Sequence, residues 1–378
     1  MTKKSQSIDA YRPKVLVIGV DAPYNKTANI DSYFSEFLNL VASNGIIYDE
    51  AIFIKLREIE SATFLTKGKL EEAQKICQEK KIDEVIISEP LTAMQERNLN
   101  EIFDAIVFDR TRLILDIFEK AALTSEGKTQ VAIALLQHKK SRLAGKGVFM
   151  SQQSGVIGGR GFGETAKERE TRHIENQILK LRRDLERFQQ SRATQRKQRL
   201  SRNIPLLCLV GYTNAGKSTI LNALTKSDVF AADRPFATLD TTTRELYIDS
   251  KKKGVISDTV GFIQMLPHHL IEAFKSTLSE LQYADLLLEV IDLADPNWES
   301  HIKIVASILE ELGVQQQILY VFNKADKVAD VDALSGALSR YQPHVLVSAL
   351  SKEGLGELMD FLGTWEKNRE AFSHPEKK

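Results

Sequence analysis

A short run in the second half of the chain has the composition and spacing of a phosphate-binding loop. Gly211 to Ser218 read G-Y-T-N-A-G-K-S between a strand-like apolar run, 204–210, and a helix-like run, 219–225. Glycines allow the backbone to wrap closely, so that its N–H groups and the positive end of the next helix point at phosphate oxygens. Lys217 adds a charge for the β- and γ-phosphates, and the Ser218 hydroxyl can reach Mg²⁺. The predicted nucleotide-binding residues of this loop are Gly211, Tyr212, Thr213, Asn214, Ala215, Gly216, Lys217, Ser218 and Thr219.

A tetrapeptide further along the chain selects the base. Asn323-Lys324-Ala325-Asp326 follows the strand-like run Ile318–Phe322. The Asp326 carboxylate has acceptors spaced for the N1–H and 2-amino donors of guanine. Adenine has an acceptor at N1 and no amino group there, so binding adenine would leave the carboxylate unpaired. The tetrapeptide therefore predicts a preference for GTP, with Asn323, Lys324 and Asp326 in the site.

The segment Asp258-Thr259-Val260-Gly261 ends another strand-like run, 254–257, and is predicted to face the phosphates. Asp258 is suited to hold Mg²⁺ through a water molecule. The backbone N–H of Gly261 can bond the γ-phosphate. We therefore expect Asp258, Thr259, Val260 and Gly261 to lie in the nucleotide site.

Two further segments complete the predicted site. The run 236–244 contains four threonines, and a hydroxyl from one of them would complete the Mg²⁺ shell with GTP bound and leave it after hydrolysis. The residue pattern alone does not choose among them. Ser348, Ala349 and Leu350 follow the strand-like run His344–Val347 and would bring backbone N–H groups to the guanine oxygen.

The sequence contains the residues needed to bind GTP but lacks one residue that usually assists its hydrolysis. Ras-like proteins orient the attacking water with a glutamine directly after the glycine of this motif, and here that position is Phe262. A phenyl ring cannot orient water, so we predict slow intrinsic turnover and activation by a partner that orders the switch segments. Asn214 raises a second hypothesis, that K⁺ binds at the phosphate loop and substitutes for an arginine finger.

The elements that position these residues form an α/β pattern. Apolar runs typical of strands alternate with amphipathic, helix-like segments over the first 112 residues, which predicts a small parallel sheet. The same alternation returns over 203–366 and is followed by a polar tail, 367–378. The strand-like runs of the first region are Val15–Val20, Ile46–Ile54, Val85–Ser88 and Ala105–Phe108, and the helix-like runs are Ile30–Val41, Leu70–Lys80 and Met94–Phe103.

Between the two α/β regions, residues 113–202 are predicted to be helical. The long segment from Thr165 to Arg202 repeats apolar residues at alternating gaps of four and three, too briefly for a long dimeric coil, so we expect an antiparallel hairpin within one chain. The glycine-rich run 155–163 is either a flexible connector or a loop whose backbone approaches a ligand, with Arg160 as its cation. The basic run Arg192–Arg202 is either a solvated face or a contact to RNA phosphates.

Composition sets the general class. The chain has 378 residues, zero formal net charge and two cysteines, Cys77 and Cys208, both in apolar runs and best explained as core residues. The polar N-terminus lacks a signal-peptide core, and no apolar run reaches the length of a membrane span. We expect a reduced, cytoplasmic, monomeric protein without membrane insertion, with peripheral attachment to a membrane left open.

Taken together, these motifs resemble the HflX family of GTPases over roughly residues 66–365. The matching segments are F-A-T-L-D at 236–240, D-T-V-G-F-I at 258–263, L-P-H at 266–268, A-F-K-S-T-L at 273–278, the glycine-rich loop 155–163, and, in the first half, K-G-K at 67–69, Q-E-R-N-L at 95–99, D-R-T at 109–111 and L-I-L-D-I-F at 113–118. Two positions depart from the family pattern: Thr241 and Phe162 stand where proline is usual, which we expect to loosen both loops.

The resemblance implies an α/β fold: a P-loop GTPase domain with a mostly parallel sheet and helices on both faces, preceded by a small α/β domain and an antiparallel helical hairpin. It also implies binding to the large ribosomal subunit, with the first domain, the hairpin and the loop around Arg160 on ribosomal RNA, and GTP hydrolysis that in some members splits stalled ribosomes. Thr238 is the best match for the switch threonine. The implied Mg²⁺ ligands are then Ser218, Thr238 and Asp258, and the implied catalytic residues are Lys217, Thr238 and Gly261.

Two rival interpretations remain open at this point. The first is a GTP-binding scaffold with little turnover, which Phe262 favours. The second is an ATP-dependent RNA remodeller with a nucleotide site near Lys67 and Gly68, although the first half of the chain has no second phosphate-loop motif.

Overall fold

The alternation of apolar strands and amphipathic helices builds two sheets, one in each half of the chain. The computed structural model describes residues 12–25, 27, 29–145, 166–225, 234–265 and 278–366. The predicted glycine-rich loop 155–163, with Arg160 and Phe162, lies outside the described residues, as do residues 266–277 and the tail 367–378.

The first sheet has four parallel strands in the order β2-β1-β3-β4, as the alternating pattern predicts. Its elements are β1 (Val15–Asp21), α1 (Ile30–Ser43), β2 (Glu50–Lys55), α2 (Lys67–Lys80), β3 (Glu84–Ile87), α3 (Ala93–Phe103) and β4 (Ile106–Asp109). Strand residues such as Leu16 and Ile87 pack with Cys77 of α2 and Leu99 of α3 in one buried cluster. Cys77 and, in the second sheet, Cys208 are buried, which confirms their interpretation as core residues.

One predicted strand begins later than expected. Residues 46–49 belong to the exit from α1 instead of to β2, because the helix closes through Gly45 at a φ of +78° and the Ile46 N–H donates to the Val41 carbonyl. The Asp49 carboxylate then accepts the Val15 N–H at 2.9 Å and fixes the start of β2. The apolar residues Ile46 and Ile47 therefore gave a strand-like sequence pattern, although the end of α1 keeps them out of β2.

Three helices connect the two sheets: α4 (Arg110–Ala121), α5 (Ser125–Gly145) and α6 (Ala166–Ser201). Two ion pairs join α5 to α6. The early residue Glu126 pairs with the late residue Arg192 at 2.8 Å, and Lys139 pairs with Glu170 at 3.0 Å. The earlier residue of α5 pairs with the later residue of α6, and the later residue of α5 pairs with the earlier residue of α6. The two helices therefore run antiparallel, which confirms the predicted hairpin.

The second sheet has six strands in the order β10-β9-β8-β5-β7-β6, all parallel except that β6 pairs antiparallel with β7. Its elements are β5 (Leu206–Gly211), α7 (Lys217–Thr225), β6 (Thr242–Ile248), β7 (Lys251–Asp258), β8 (Leu286–Asp292), α8 (Trp298–Glu311), β9 (Ile318–Asn323), α9 (Ser335–Leu338), β10 (His344–Leu346) and α10 (Leu355–Thr364). Helices α7 and α10 pack with one set of strand residues, whereas α8 packs with Ile291 and Phe322 from the alternate set. Helices therefore cover both faces of this sheet, as expected.

By spatial proximity the chain divides into two units. One comprises Met1–Asp116 and His138–Ile174, and the other comprises Ile117–Gln137 and Glu175–Lys378. Both hairpin helices contribute to each unit, and the limits 1–112, 113–202 and 203–366 stay predictions. None of the helices within the described ranges combines the length and apolar composition needed to cross a membrane.

Candidate nucleotide site

The loop between β5 and α7 has a backbone that only glycine permits at two of its positions. Gly211 and Gly216 have φ values of +142° and +95°. A Cβ at Gly211 would lie 2.2 Å from the Val290 carbonyl oxygen, and one at Gly216 would lie 2.3 Å from Asn323 Nδ2. The glycines therefore let the loop pack against β8 and β9, and α7 begins directly at Lys217.

This loop forms one wall of a cavity of about 280 Å³. The cavity is lined by Thr213, Asn214, Gly216, Lys217, Ser218, Thr219, Arg234, Phe236, Ala237, Thr238, Thr259, Gly261, Asn323, Lys324, Asp326, Lys327, Ala349 and Leu350. Segments far apart in sequence thus converge, because the carboxyl ends of neighbouring parallel strands meet at one edge of the sheet.

Three oxygen-bearing side chains meet at one end of the cavity. The Ser218 hydroxyl donates to Asp258 Oδ2 at 2.5 Å and lies 2.7 Å from Thr238 Oγ1. Asp258 is fully buried, and its Oδ1 has no hydrogen-bond partner among the described residues. Burial, opposed by Lys217 and the Ser218 hydroxyl, raises the pKa of Asp258. A buried carboxyl group with an unpaired oxygen, beside two hydroxyls, fits the oxygen ligands of a hard divalent cation.

The same geometry separates Thr238 from the other threonines of its segment. Thr241 Oγ1 accepts a hydrogen bond from Arg192 Nη2 at 3.2 Å, and Thr243 Oγ1 lies 3.2 Å from Ser257 Oγ. Only Thr238 among the four threonines at 238–243 has a hydrogen bond to Ser218 in the described structure.

Lys217 lies at the centre of the phosphate loop and is 7% exposed. Its Nζ donates to the carbonyls of Gly211 at 3.1 Å and Tyr212 at 2.9 Å. Burial lowers the pKa of Lys217 to about 8, although the nearby Asp258 opposes the shift. A buried cation held only by carbonyl dipoles is well prepared to bind an anion.

Gly261 approaches this lysine closely. A Cβ at Gly261 would lie 2.9 Å from Lys217 Nζ and 2.9 Å from Thr213 Cα. The next residue, Phe262, is 1% exposed and joins the phosphate loop through its backbone: its N–H donates to Gly211 and its carbonyl accepts from Thr213. The phenyl ring therefore belongs to the protein interior, away from water.

Asn323 links the phosphate loop to the segment predicted to contact the base. Its Nδ2 donates to the Ala215 carbonyl at 2.8 Å, and its Oδ1 accepts the Ala349 N–H at 3.0 Å. Lys324 Nζ pairs with Asp292 Oδ2 at 2.6 Å. Asp326 is exposed on the cavity wall, where its carboxylate is accessible to a base.

Six of the predicted nucleotide-binding residues support the cavity without lining it: Gly211, Tyr212, Ala215, Asp258, Val260 and Ser348. The ring of Tyr212, for example, stacks on His301 with 3.8 Å between centroids, and its hydroxyl accepts the Gln264 N–H. The buried Ser348 hydroxyl accepts the Ser351 N–H and shapes its own loop. Asp258 acts through its carboxylate, which bonds Ser218, and the other five contribute through the backbone and through packing.

Sequence reasoning did not assign four of the lining residues: Arg234, Phe236, Ala237 and Lys327. Phe236 and Ala237 belong to the threonine-containing segment, and Lys327 directly follows Asp326, so proximity to a motif was the available signal. Arg234 precedes that segment and had no such signal.

The basic run Arg192–Arg202 is not uniformly solvated, which corrects its interpretation as a solvated face, whereas a contact to RNA phosphates stays a prediction. Arg192 is 21% exposed and is paired with Glu126 and Thr241 inside the protein. Arg196 lies over the ring of Tyr283 at 3.7 Å. Lys197 and Arg202 are exposed.

A glycine loop that holds a buried lysine, an acidic group with two hydroxyls, and N-K-x-D at the ends of adjacent parallel strands define the class of P-loop GTPases. The chain is 42% identical to GTPase HflX of Caldanaerobacter subterraneus subsp. tengcongensis over 331 residues, which cover 84% of this chain and 76% of the relative. It is 39% identical to GTPase HflX of Escherichia coli strain K12 over 329 residues, covering 86% and 77%. The chain belongs to the HflX family of GTPases, and it is an enzyme that binds and hydrolyses GTP.

Three family models match consecutive parts of the chain: "GTP-binding GTPase N-terminal" at residues 31–119, "GTP-binding GTPase Middle Region" at 121–199, and "50S ribosome-binding GTPase" at 206–324. Among solved structures, the chain is 25% identical to a GTP-binding protein from the archaeon Sulfolobus solfataricus in complex with GDP, with 92% of this chain and 96% of that chain covered and a TM-score of 0.46.

Proposed function

We propose that this GTPase acts in the cytoplasm on the large ribosomal subunit, hydrolyses GTP there, and takes part in splitting or rescuing stalled ribosomes under stress. The observation that carries the proposal is Phe262. The cavity has the groups needed to bind a nucleotide, but the position that would orient water holds a buried ring. A site of this kind needs a partner to complete it.

In the proposed complex the triphosphate lies on the loop 211–218 and the base lies against Asp326. Lys217 exchanges its bonds to the loop carbonyls for the β- and γ-phosphate oxygens. The Gly261 N–H, held beside Lys217 by the close packing at that glycine, bonds the γ-phosphate. The Asp326 carboxylate accepts from the two guanine donors and leaves adenine poorly bound.

Ser218, Thr238 and Asp258 would hold Mg²⁺, which neutralises charge on the phosphates when bound. The unpaired Asp258 Oδ1 and the 2.7 Å approach of Thr238 to Ser218 support this assignment. Thr238 belongs to a loop, whereas Asp258 ends a strand and Ser218 begins a helix. Thr238 is therefore the ligand that can leave after hydrolysis and report the state of the nucleotide.

The large subunit supplies what Phe262 does not, by ordering the switch segments around the attacking water. Its RNA would contact the exposed cations at the end of α6, Lys197 within the helix and Arg202 directly after it, and the loop around Arg160. The name of the family model matched at 206–324 agrees with this partner.

The alternative is a scaffold that binds GTP with little turnover, and the same buried ring favours it. Phosphate release from the full chain, measured with GTP alone and with purified large or small subunits, separates the two. We expect large subunits to accelerate release by about a thousandfold or more, the lower end of known GTPase activation, and small subunits to leave it unchanged. Lys217→Ala is the control for contaminating GTPases. A rate that large subunits do not change would favour the scaffold.

A further inference from the structure

Thr238 lies between two anchors, each two residues away along the chain. On one side the Phe236 ring, 3% exposed, packs edge-on against Phe118 of α4, with 4.7 Å between centroids. On the other side the Asp240 carboxylate bonds the start of α5. Since two residues span at most about 7 Å, the two anchors together confine the position of Thr238.

The Asp240 anchor uses three donors from the start of α5. Oδ2 accepts the N–H groups of Leu123 at 2.7 Å and Thr124 at 2.9 Å, and Oδ1 accepts the Thr124 hydroxyl. Thr124 Oγ1 in turn accepts the Gly127 N–H at 3.0 Å, so Thr124 caps the helix. A carboxylate at this end of a helix is also favoured by the helix dipole.

Gly127 makes this approach possible. A Cβ at Gly127 would lie 2.1 Å from Asp240 Oδ1, closer than real carbon and oxygen atoms approach. Glycine in a helix is otherwise unfavourable by about 1 kcal/mol relative to alanine. The chain therefore carries a poor helix former at a position where a side chain would push Asp240 away.

A second contact supports the anchor. Arg192 of α6 bonds both Glu126 of α5, at 2.8 Å, and Thr241 Oγ1, at 3.2 Å. Thr241 is the position where the sequence departs from the family's proline, and its hydroxyl provides the acceptor. The loosening expected from the loss of proline is opposed here by a side-chain bond.

We propose that Asp240 is a positioning residue for GTP hydrolysis: seated on the first turn of α5 beside Gly127, it holds Thr238 next to Ser218, and GTP binding in turn orders the first turn of α5. The inference rests on the proposed role of Thr238. Coupling between two sites is reciprocal, so the helix responds to the nucleotide as much as the nucleotide site responds to the helix. Helix α5 thereby responds to whether GTP or GDP is bound.

The test compares Gly127→Ala and Asp240→Asn with a matched control, Gly356→Ala. Gly356 also lies in the first turn of a helix, α10, but its Cβ would meet no described atom within 4 Å. For each full-length variant, three quantities are measured without ribosomes: affinity for GDP, affinity for a non-hydrolysable GTP analogue with Mg²⁺, and the single-turnover rate of hydrolysis.

We expect Gly127→Ala and Asp240→Asn to lose about fivefold or more in analogue affinity and in hydrolysis rate, the lower end of typical couplings. GDP affinity should not change, because Thr238 leaves the site with GDP. A purely structural defect would lower the melting temperature and GDP affinity together, so unchanged GDP affinity distinguishes the proposed positioning role from it. Gly356→Ala should match the parent in all three measurements.

Hydrogen exchange gives a readout that does not depend on activity. In the parent, the GTP analogue should slow exchange at the amides of Leu123 and Thr124 relative to GDP, and Gly127→Ala should remove that difference. The proposal would be overturned if both variants had the same analogue affinity and hydrolysis rate as the parent. It would also be overturned if hydrogen exchange at Leu123 and Thr124 of the parent were the same with the GTP analogue and with GDP. Asp240 would then be a helix cap only. Lys217→Ala separates the two claims: if it still hydrolyses GTP, the nucleotide site itself is wrong.

Discussion

The two mainly parallel sheets of this protein differ in how completely the polar groups at the carboxyl ends of their strands are hydrogen-bonded. In the first sheet the strand order 2-1-3-4 reverses between β1 and β3, the point where α/β folds commonly bind ligands. Here the Ser88 hydroxyl accepts the Val20 N–H at 2.9 Å. Glu89, fully buried, accepts the hydroxyls of Tyr24 at 2.6 Å and Tyr33 at 2.7 Å. The polar groups at this crevice are thus bonded to one another.

In the second sheet the equivalent edge is open and its buried charges have incomplete partners. Lys217 is surrounded by carbonyl dipoles, and Asp258 keeps an unpaired oxygen beside a 280 Å³ cavity. Similar strand arrangements therefore give a closed structural edge in one case and a ligand site in the other. The fold provides a crevice in both sheets. Whether the crevice can bind a ligand depends on whether its buried polar groups already have hydrogen-bond partners in the protein.

The largest expected effect tests whether the contrast holds for the whole chain. Lys217→Ala removes the buried cation and should weaken GTP and GDP binding by about 2–5 kcal/mol, the usual effect of removing one member of a buried charge pair. No residual site for ATP or GTP should remain in the first half, where the sequence around Gly68 has no second phosphate-loop motif. Titration of the variant with labelled ATP and GTP checks this, and saturable binding of either nucleotide would break the comparison.

A smaller effect concerns a buried carboxyl group in the second sheet that lacks the partners Glu89 has. Oε1 of Glu289 has no hydrogen-bond partner among the described residues, and burial raises its pKa to about 8. The folded protein therefore holds this proton more tightly than the unfolded chain. The stabilisation is complete below the ordinary pKa of glutamate, and it is lost as the pH rises towards 8.

We accordingly expect Glu289→Gln to gain stability relative to the parent by roughly 3–5 kcal/mol between pH 5 and pH 9. Urea unfolding of both proteins across that range measures the difference. A constant offset at all pH values would show that Glu289 does not titrate as proposed. The matched variant Glu89→Gln should instead destabilise, because Tyr24 and Tyr33 donate to different carboxyl oxygens and glutamine keeps only one of them.

The depressed pKa of Lys217 predicts a third, more modest effect. Since the free protein begins to lose this charge near pH 8 and bound phosphates favour it, GDP binding takes up a proton above that pH. Affinity should fall by up to about tenfold per pH unit between pH 8 and pH 9 and stay nearly constant from pH 6.5 to 7.5. Fluorescence titrations check this, with Lys217→Arg as the control, because arginine keeps its charge throughout. A slope shared by both proteins would assign the titration to another group.

The smallest effect concerns the cation at the phosphate loop. Asn214, exposed and left-handed with a φ of +63°, lies on the cavity wall, where its side chain can help hold K⁺. We expect turnover to be severalfold faster in K⁺ than in Na⁺ at equal ionic strength, and Asn214→Ala to lose the difference. Equal rates in both salts would remove K⁺ from the mechanism.

Local motifs made the chemistry of the second sheet predictable, because the phosphate loop and its flanking elements are contiguous in sequence. The residue pattern alone did not choose among four threonines, and the family resemblance favoured Thr238. The bond from Ser218 that supports this choice spans 20 residues and is visible only in the fold. The bond between Asp240 and Thr124 spans 116 residues and left no signature in either segment.

Errors in the predicted elements have similar physical causes. Strand β6 was not predicted, because its charged residues Arg244 and Glu245 are typical of a solvent-facing edge strand and mask the alternating pattern. Arg192 was grouped with its basic neighbours, since nothing in the local sequence indicates that Glu126 lies opposite it on the other helix. Pairing between polar groups that are far apart along the chain is the feature of the fold that could not be predicted from a single sequence.

The buried position of Phe262 also limits how this enzyme can be engineered. Introducing glutamine there would not create a catalytic amide, because the side chain would enter the interior at a cost of about 1–3 kcal/mol. Turning it outward would break the two backbone bonds that tie this residue to the phosphate loop. A variant that hydrolyses GTP rapidly without a partner would therefore need several coordinated substitutions. A directed-evolution search for one should begin with neighbouring loops.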